Sequence, residues 1–321
     1  MKLIQVGIGS WGSSWYGKIK KNHADLDVVI VEKNLEAAKK IADGDDRIYS
    51  SLNEAIEKEK PDFILNLTPP TVHSAISNIA FDYKLPVLCE KPIAVEYAEA
   101  AQIVERSLRE NIPFMIAENY RNYPEIRKMK KLISEGSIGD IVTLHVDFYK
   151  CNIDKEGRYH STLKNPLLED VTIHHFDLIR FITGSDVKSI FTRNFNSRHS
   201  WYSGNPSLLS VMEMKNGVMA SYAGSLTAKG QSTEWYGDWR VDGTEGSLIL
   251  KDYRISIVTG DQAVEYDDFS DMEGKDCLDE FILSLKENRA GETSGADYIK
   301  TQAMVHYSQE SSKAGRMLDM E

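Results

Sequence analysis

The sequence predicts a two-part α/β protein, with a doubly wound parallel sheet followed by a larger, mostly antiparallel α+β domain. Three observations predict it. Short apolar runs alternate with helical stretches over the first third of the chain, a glycine-rich turn follows the first of those runs, and the texture changes after about residue 120. The length of 321 residues agrees, since domains run to about 100–200 residues each.

The runs Leu3–Ile8, Val28–Val31, Phe63–Leu67, Val87–Cys89 and Phe114–Ala117 are apolar nearly throughout, the mark of parallel strands covered on both faces. Between them Leu35–Ala42, Leu52–Lys58, Val72–Asp82 and Val95–Arg109 carry apolar residues at helical spacing with one polar face. Strand, helix, strand, helix implies right-handed crossovers. Beyond residue 120 a helical stretch, Pro124–Glu135, leads into Ile141–Lys150 and a polar loop. An apolar helix over about Leu168–Ile182 follows, with Gly184 as its terminating residue. Segments such as Ser207–Lys215, Met219–Thr227 and Trp235–Asp242 read as antiparallel strands, with Asn216-Gly217 as a hairpin turn. Helices near Asp276–Asn288 and Asp297–Ala314 close the chain. The expected division is residues 1–120 and 121–321, with an active site between the two domains.

Composition narrows the function classes. The chain is 41% hydrophobic and 27% charged, an ordinary globular balance. Its formal charge is −11, so no overall field draws it to nucleic acid or anionic lipid, and the basic runs Lys18–Lys21 and Arg127–Lys131 read as solvated helix faces. No apolar stretch approaches the eighteen or so residues of a membrane helix, and the opening run is too short for a signal segment. Cys89, Cys151 and Cys277 show no paired spacing, which argues against a disulfide framework or structural zinc and for a reducing, cytoplasmic setting.

The strongest motif is Gly7-Ile8-Gly9-Ser10-Trp11-Gly12, directly after a strand and opening a helix, where glycines permit a tight turn and close approach of a pyrophosphate. Glu32 stands twenty residues beyond Gly12 at the end of the second strand, placed to accept from both adenosine ribose hydroxyls. A carboxylate there repels a 2′-phosphate and favours NAD over NADP, although the neighbouring Lys33 could meet that phosphate. Three further segments fall at strand ends: Thr68-Pro69-Pro70 with His73, Glu90-Lys91-Pro92, and Glu118-Asn119-Tyr120-Arg121. A lysine such as Lys91, following an apolar strand and held between Glu90 and Pro92, can sit half-desolvated with a lowered pKa. In the second part Asp170, His174 and Asp177 stand at i, i+4 and i+7, so one helix face would carry a histidine flanked by carboxylates. Such a histidine is a candidate general base or a satisfied core residue, whereas His175, about 100° round the helix, reads as structural. No complete metal-ligand set is apparent.

Together these motifs resemble the glucose–fructose oxidoreductase, inositol dehydrogenase and MocA family of NAD(P)-dependent oxidoreductases. The resemblance spans the chain and includes Gly136-Ser137-Ile138-Gly139; its most specific part is Glu90-Lys91-Pro92 combined with Asp170, His174 and Asp177. It implies a Rossmann domain, a second domain whose open sheet makes a homodimer or homotetramer, and hydride transfer between nicotinamide and a secondary hydroxyl or ketone of a sugar, inositol or related polyol. It implies Lys91, Asp170 and His174 as the catalytic group, leaves open whether Lys91 or His174 receives the proton, and implies a cis peptide between Lys91 and Pro92. Cofactor contacts are expected from Gly7, Gly9, Ser10, Trp11, Gly12, Glu32, Thr68, Pro69, His73, Glu90, Lys91 and Asn119. Substrate contacts are expected from Lys91, Tyr120, Arg121, Tyr159, Asp170, His174 and Asp177, with Arg158, His160, Trp235 and Trp239 as further candidates. Arg121 could instead form a fold-stabilising ion pair, and the tryptophans could be core. Thr172 stands where many members carry glycine, and Asn165–Glu169 replaces their glycine-rich stretch, so no particular relative's substrate carries over. Two other classes remain: an NAD-dependent glycosidase with a transient redox step, and a non-catalytic dinucleotide-binding regulator.

Overall fold

The structure, a computed structural model, describes residues 1–44, 46–151, 162–272 and 274–320. The chain divides into two compact units, Met1–Glu118 with Asp276–Ile299, and Asn119–Lys275 with the residues from Lys300 onward.

The first unit holds a parallel sheet of β1 (Lys2–Val6), β2 (Asp27–Val31), β3 (Arg47–Tyr49), β4 (Phe63–Asn66), β5 (Val87–Cys89) and β6 (Phe114–Ile116). Its order is β3-β2-β1-β4-β5-β6, so the direction of winding reverses between β1 and β4, where a doubly wound sheet opens a crevice at its strand ends. Helices α1 (Ser10–Asn22), α2 (Leu35–Lys39), α3 (Leu52–Glu59), α4 (His73–Asp82) and α5 (Tyr97–Arg109) connect the strands. The apolar strand runs are buried as expected. Strand β3 escapes the sequence pattern because its three residues are half-buried and include an arginine.

The unit boundary differs from the expected one. Helix α8 (Cys277–Glu287) belongs to the first unit, because Cys277, Leu278 and Phe281 enter the same core as Leu3, Phe63 and Leu65. Phe281 meets Phe63 edge to face at 5.4 Å. Asp276 and Asp279 close a capping box at the start of α8, with His23 beside both carboxylates. Farther on, the backbone of Thr293 accepts from the Ile116 N–H and the Thr293 hydroxyl donates to the Ile116 carbonyl, so this returning segment covers the edge of β6.

The second unit begins with the 3₁₀ turn Asn119–Asn122, then α6 (Pro124–Ser134) and β7 (Ile141–Tyr149). Its central helix has two parts: a π-helical turn, Leu167–Thr172, and α7 (Ile173–Thr183), which Gly184 ends at φ +61°. Eight more strands follow: β8 (Val187–Phe195), β9 (Ser207–Met214), β10 (Met219–Ser225), β11 (Asp238–Gly243), β12 (Ser247–Lys251), β13 (Arg254–Thr259), β14 (Gln262–Tyr266) and β15 (Leu318–Asp319). The sheet order is β14-β13-β12-β11-β7-β10-β9-β8-β15, antiparallel except for the β7–β10 pair. One face carries the central helix, through Phe176 of α7 and Thr172 of the π-helical turn against Tyr222. Phe195, Leu209, Val211 and Met219 are exposed on strands β8 to β10. The last helix, α9 (Gly295–Ala314), precedes β15. Among the described residues no helix is long and apolar enough to cross a membrane.

Candidate active site

In the first unit the glycine turn lies where β1 meets α1. Gly7 has φ +95°, and a Cβ there would lie 2.8 Å from the Leu67 carbonyl oxygen; one on Gly12 would lie 2.4 Å from that of Gly7. At Gly9 a Cβ would meet nothing within 4 Å, so the turn is closed on two sides and open at its centre. Helix α1 has neither a side-chain cap nor an acidic residue in its first turn, leaving its first N–H groups and dipole for an anion. Buried Gln5 locks the turn by donating to the carbonyls of Gly7 (3.0 Å) and Gly12 (2.9 Å). That role was missed by sequence reasoning, and its signal is an amide in an otherwise apolar strand.

The Glu32 carboxylate lies against this turn, accepting from the Ile8 N–H at 3.1 Å and the Asn34 N–H at 2.9 Å. A diphosphate on α1 with a ribose diol at Glu32 fits these donors and acceptors. The other strand-end segments are tied to one another. Both ring nitrogens of His73 lie 2.7 Å from backbone carbonyls, Nδ1 from Pro92 and Nε2 from Thr68. Burial, the larger effect, holds this imidazole below its ordinary pKa against the two carbonyls, which favour the cation. The Thr68 hydroxyl donates to buried Asn66, whose amide in turn donates to the His73 carbonyl. The Lys91–Pro92 peptide is cis, as the resemblance implies, and Lys91 is half-buried. Glu90, only 7% exposed, accepts from the indoles of Trp11 (2.5 Å) and Trp15 (2.9 Å) and from the Lys91 backbone N–H (3.2 Å). Trp15 was not singled out from sequence. Its position four residues after Trp11 on one helix is the signal that could have found it. Asn119 is half-buried and opens the second unit.

In that unit Asp170 sits on the π-helical turn, partly exposed, and His174 in the first turn of α7. The expected regular helical face therefore does not run from 170 to 177. The i→i+5 turn rotates Asp170 about the axis relative to a straight α-helix, and such turns concentrate at functional sites. His174 stacks on Tyr120, with ring centroids 4.0 Å apart and planes 5° from parallel. His175 is structural, as expected, with Nδ1 facing the Tyr222 hydroxyl at 3.1 Å and Nε2 the Trp235 carbonyl at 2.9 Å.

Two sequence expectations need correction. Asp177 is 0% exposed and accepts from Arg121 Nε at 2.6 Å and Nη2 at 2.7 Å, with the Thr301 hydroxyl at 3.0 Å. Arg121 also lies over the Phe181 ring. A bidentate ion pair closed in this way positions the 3₁₀ turn on α7 and leaves neither partner facing a substrate. Trp239 is core, its indole donating to the Tyr236 carbonyl at 2.6 Å, so it has no face for a sugar; Trp235 remains 41% exposed. Tyr159, with Arg158 and His160, lies outside the described residues.

Comparison with known proteins agrees with this architecture. A family model described as "Oxidoreductase family, NAD-binding Rossmann fold" matches residues 1–117, and one described as "GFO/IDH/MocA C-terminal domain" matches residues 126–249. D-apiose dehydrogenase of Rhizobium rhizogenes is 28% identical over 281 residues, covering 81% of this chain and 79% of that one. Inositol 2-dehydrogenase of Corynebacterium glutamicum is 25% identical over 226 residues, covering 68% and 65%. An oxidoreductase from Agrobacterium radiobacter, solved with NAD+, L-tartaric acid and magnesium, superposes with a TM-score of 0.90 at 23% identity over 99% of this chain and 98% of that one. With an NAD-binding Rossmann domain and the matching C-terminal domain in one chain, this protein belongs to the GFO/IDH/MocA family of oxidoreductases.

Proposed function

We propose that this chain transfers a hydride between NAD and a secondary hydroxyl or ketone of a sugar, inositol or related polyol. The observation that carries the reading is the joint presence of a half-buried lysine, Lys91, after β5 of the NAD-binding domain and a histidine, His174, braced flat against Tyr120. A module that only binds a dinucleotide needs neither. The names of the relatives, dehydrogenases of D-apiose and of inositol, support the substrate class.

NAD, when bound, supplies the hydride acceptor; the first-turn amides of α1 and the Glu32 carboxylate are the groups that would hold it. His174 takes the hydroxyl proton as general base, and its ring plane is set by the stack on Tyr120. Asp170 orients that imidazole and stabilises it as it becomes cationic. Lys91 donates a hydrogen bond to the same substrate oxygen, stabilising alkoxide character as the C–H bond breaks. Arg121 and Asp177 act one step back, holding Tyr120 on α7. In this reading the exposed Phe195, Leu209, Val211 and Met219 form the contact of a homo-oligomer, and the free cysteines fit a cytoplasmic protein.

The test is a panel of polyols and aldoses, D-apiose and myo-inositol included, incubated with NAD or NADP while reduced nicotinamide is followed by absorbance. The expected result is reduction of NAD by at least one member, with NAD preferred. Cleavage of a glycoside without net NADH would replace the reading with the glycosidase one, and binding of NADH without turnover on the whole panel would favour the regulator.

A further inference from the structure

We propose that Glu90, clamped by Trp11 and Trp15, is a positioning residue for Lys91 that ties the lysine to the glycine-turn helix. The inference rests on the reading of Lys91 as a catalytic group and goes beyond it.

A nearly buried carboxylate is costly unless its oxygens are satisfied. At Glu90 the satisfaction is unusual in kind. Oε1 accepts two indole N–H groups, from Trp11 at 2.5 Å and Trp15 at 2.9 Å, while Oε2 accepts the backbone N–H of Lys91 at 3.2 Å. Indole can only donate, so two indoles on one oxygen require an acceptor with both lone pairs free. Three donors from two directions fix the rotamer of the group. The two tryptophans lie four residues apart on α1, one turn apart on the same face, and so converge on a single acceptor.

The geometry has a further consequence. Trp11 is 50% exposed and belongs to the glycine turn, yet its N–H is anchored by a short bond to a group beyond β5. From the other flank His73 holds the Pro92 carbonyl. The backbone around Lys91 is therefore gripped on its N-terminal side by Glu90 and on its C-terminal side by His73. A shift of α1 moves the indoles, the indoles move Glu90, and Glu90 moves the peptide that carries the lysine. The helix that offers its amides to the dinucleotide thus also sets where the lysine stands.

The experiment uses the full chain and four variants: Trp15→Phe, which removes one N–H and keeps an aromatic in the core; Trp11→Phe, at an exposed position where folding is not at risk; the two tryptophan changes combined; and Glu90→Gln, whose amide cannot accept from both indoles and from the Lys91 N–H together. The first readout needs no turnover: the pH-dependent rate at which an amine-directed reagent labels Lys91, followed by peptide mass spectrometry with exposed Lys58 as internal control. The second is the pH profile of kcat together with the split between kcat and the KM for NAD. Each variant is expected to change Lys91 labelling by about threefold or more and to lower kcat by about tenfold, the size of one lost hydrogen bond to a charged group, with the KM for NAD little changed in Trp15→Phe. The double tryptophan variant should lose no more than Glu90→Gln, because the three act as one unit. Labelling at Lys91 and a pH profile superimposable on wild type in both Trp11→Phe and Glu90→Gln would overturn the proposal. A wild type that labels as expected but oxidises no alcohol would sink the functional reading alone.

Discussion

Each unit buries a histidine with both ring nitrogens engaged, and the two are built differently. His175 lies at the end of a hydroxyl relay: the Thr172 hydroxyl donates to the Tyr222 hydroxyl, which faces Nδ1, and Nε2–H donates to the Trp235 carbonyl. Every donor meets an acceptor. Burial pushes the Tyr222 phenol well above its usual range, which keeps the phenol protonated. His73 faces two carbonyls, Thr68 and Pro92, and carbonyls only accept. A neutral imidazole has one N–H to share between them, and a cationic one would satisfy both at the cost of a buried charge. The lesson is that equal burial does not mean equal fate. One histidine is a fixed part of the packing, whereas the other is a staple whose strength depends on a proton.

The largest effect is expected at His174. Its replacement by alanine should cut turnover by roughly 10²–10⁴-fold while NADH binding by the first unit, measured by fluorescence titration, is retained. Near-normal turnover would make both histidines of α7 structural. Next in size is Asp177→Asn, which removes the carboxylate charge that pairs with buried Arg121 and should cost about 3–5 kcal/mol in urea unfolding. The paired change of Arg121→Met with Asp177→Leu should restore most of that loss. A raised substrate KM with unchanged stability would return Asp177 to the role of substrate contact. Smaller again is Glu32→Ala, expected to shift the NADP-to-NAD ratio of kcat/KM by about tenfold, the value of one or two hydrogen bonds to a charged group. No shift would mean that the backbone amides of the turn alone choose the cofactor.

The smallest effect is the pH dependence of His73. Its folded pKa is held below the unfolded value, so between the two the unfolded chain binds more protons and stability rises with pH. The contribution is fully present above about pH 6.5, where the unfolded imidazole is neutral, and is lost as pH falls from there toward the folded value. His73→Gln should flatten the urea midpoint across pH 5 to 7 relative to wild type. An unchanged slope would show that the ring keeps one charge state throughout and that the contrast with His175 is one of geometry only.

Much of the fold was legible because its signals are local. Continuous apolar runs mark β1, β2, β4, β5 and β6, and a glycine turn followed by an acid after the next strand marks the cofactor side. The readings that failed were of contacts far apart in sequence. Arg121 meets Asp177 across 56 residues, and nothing near either position says that the pair is closed. The apolar face of α8 announces that Cys277, Leu278 and Phe281 are buried without saying in which core. The π-helical turn has no residue signature, since any side chain tolerates an i→i+5 bond. Gln5, Asn66 and Trp15 escaped notice for another reason: each sits at a position whose pattern already read as core, so its hydrogen bond was hidden behind its burial.

The return of residues 276–299 to the first unit orders events during synthesis. As the chain emerges, β1 to β6 are made first, but Phe281 and the strip that covers β6 arrive only after the whole of β7 to β14 has been translated. The first unit therefore waits with an open patch around Phe63 and a bare strand edge while the second is built. A fragment cut at residue 120 would keep that patch permanently, so a cofactor-binding half made for study should join residues 1–118 to 276–299 through a short linker rather than stop at the apparent boundary.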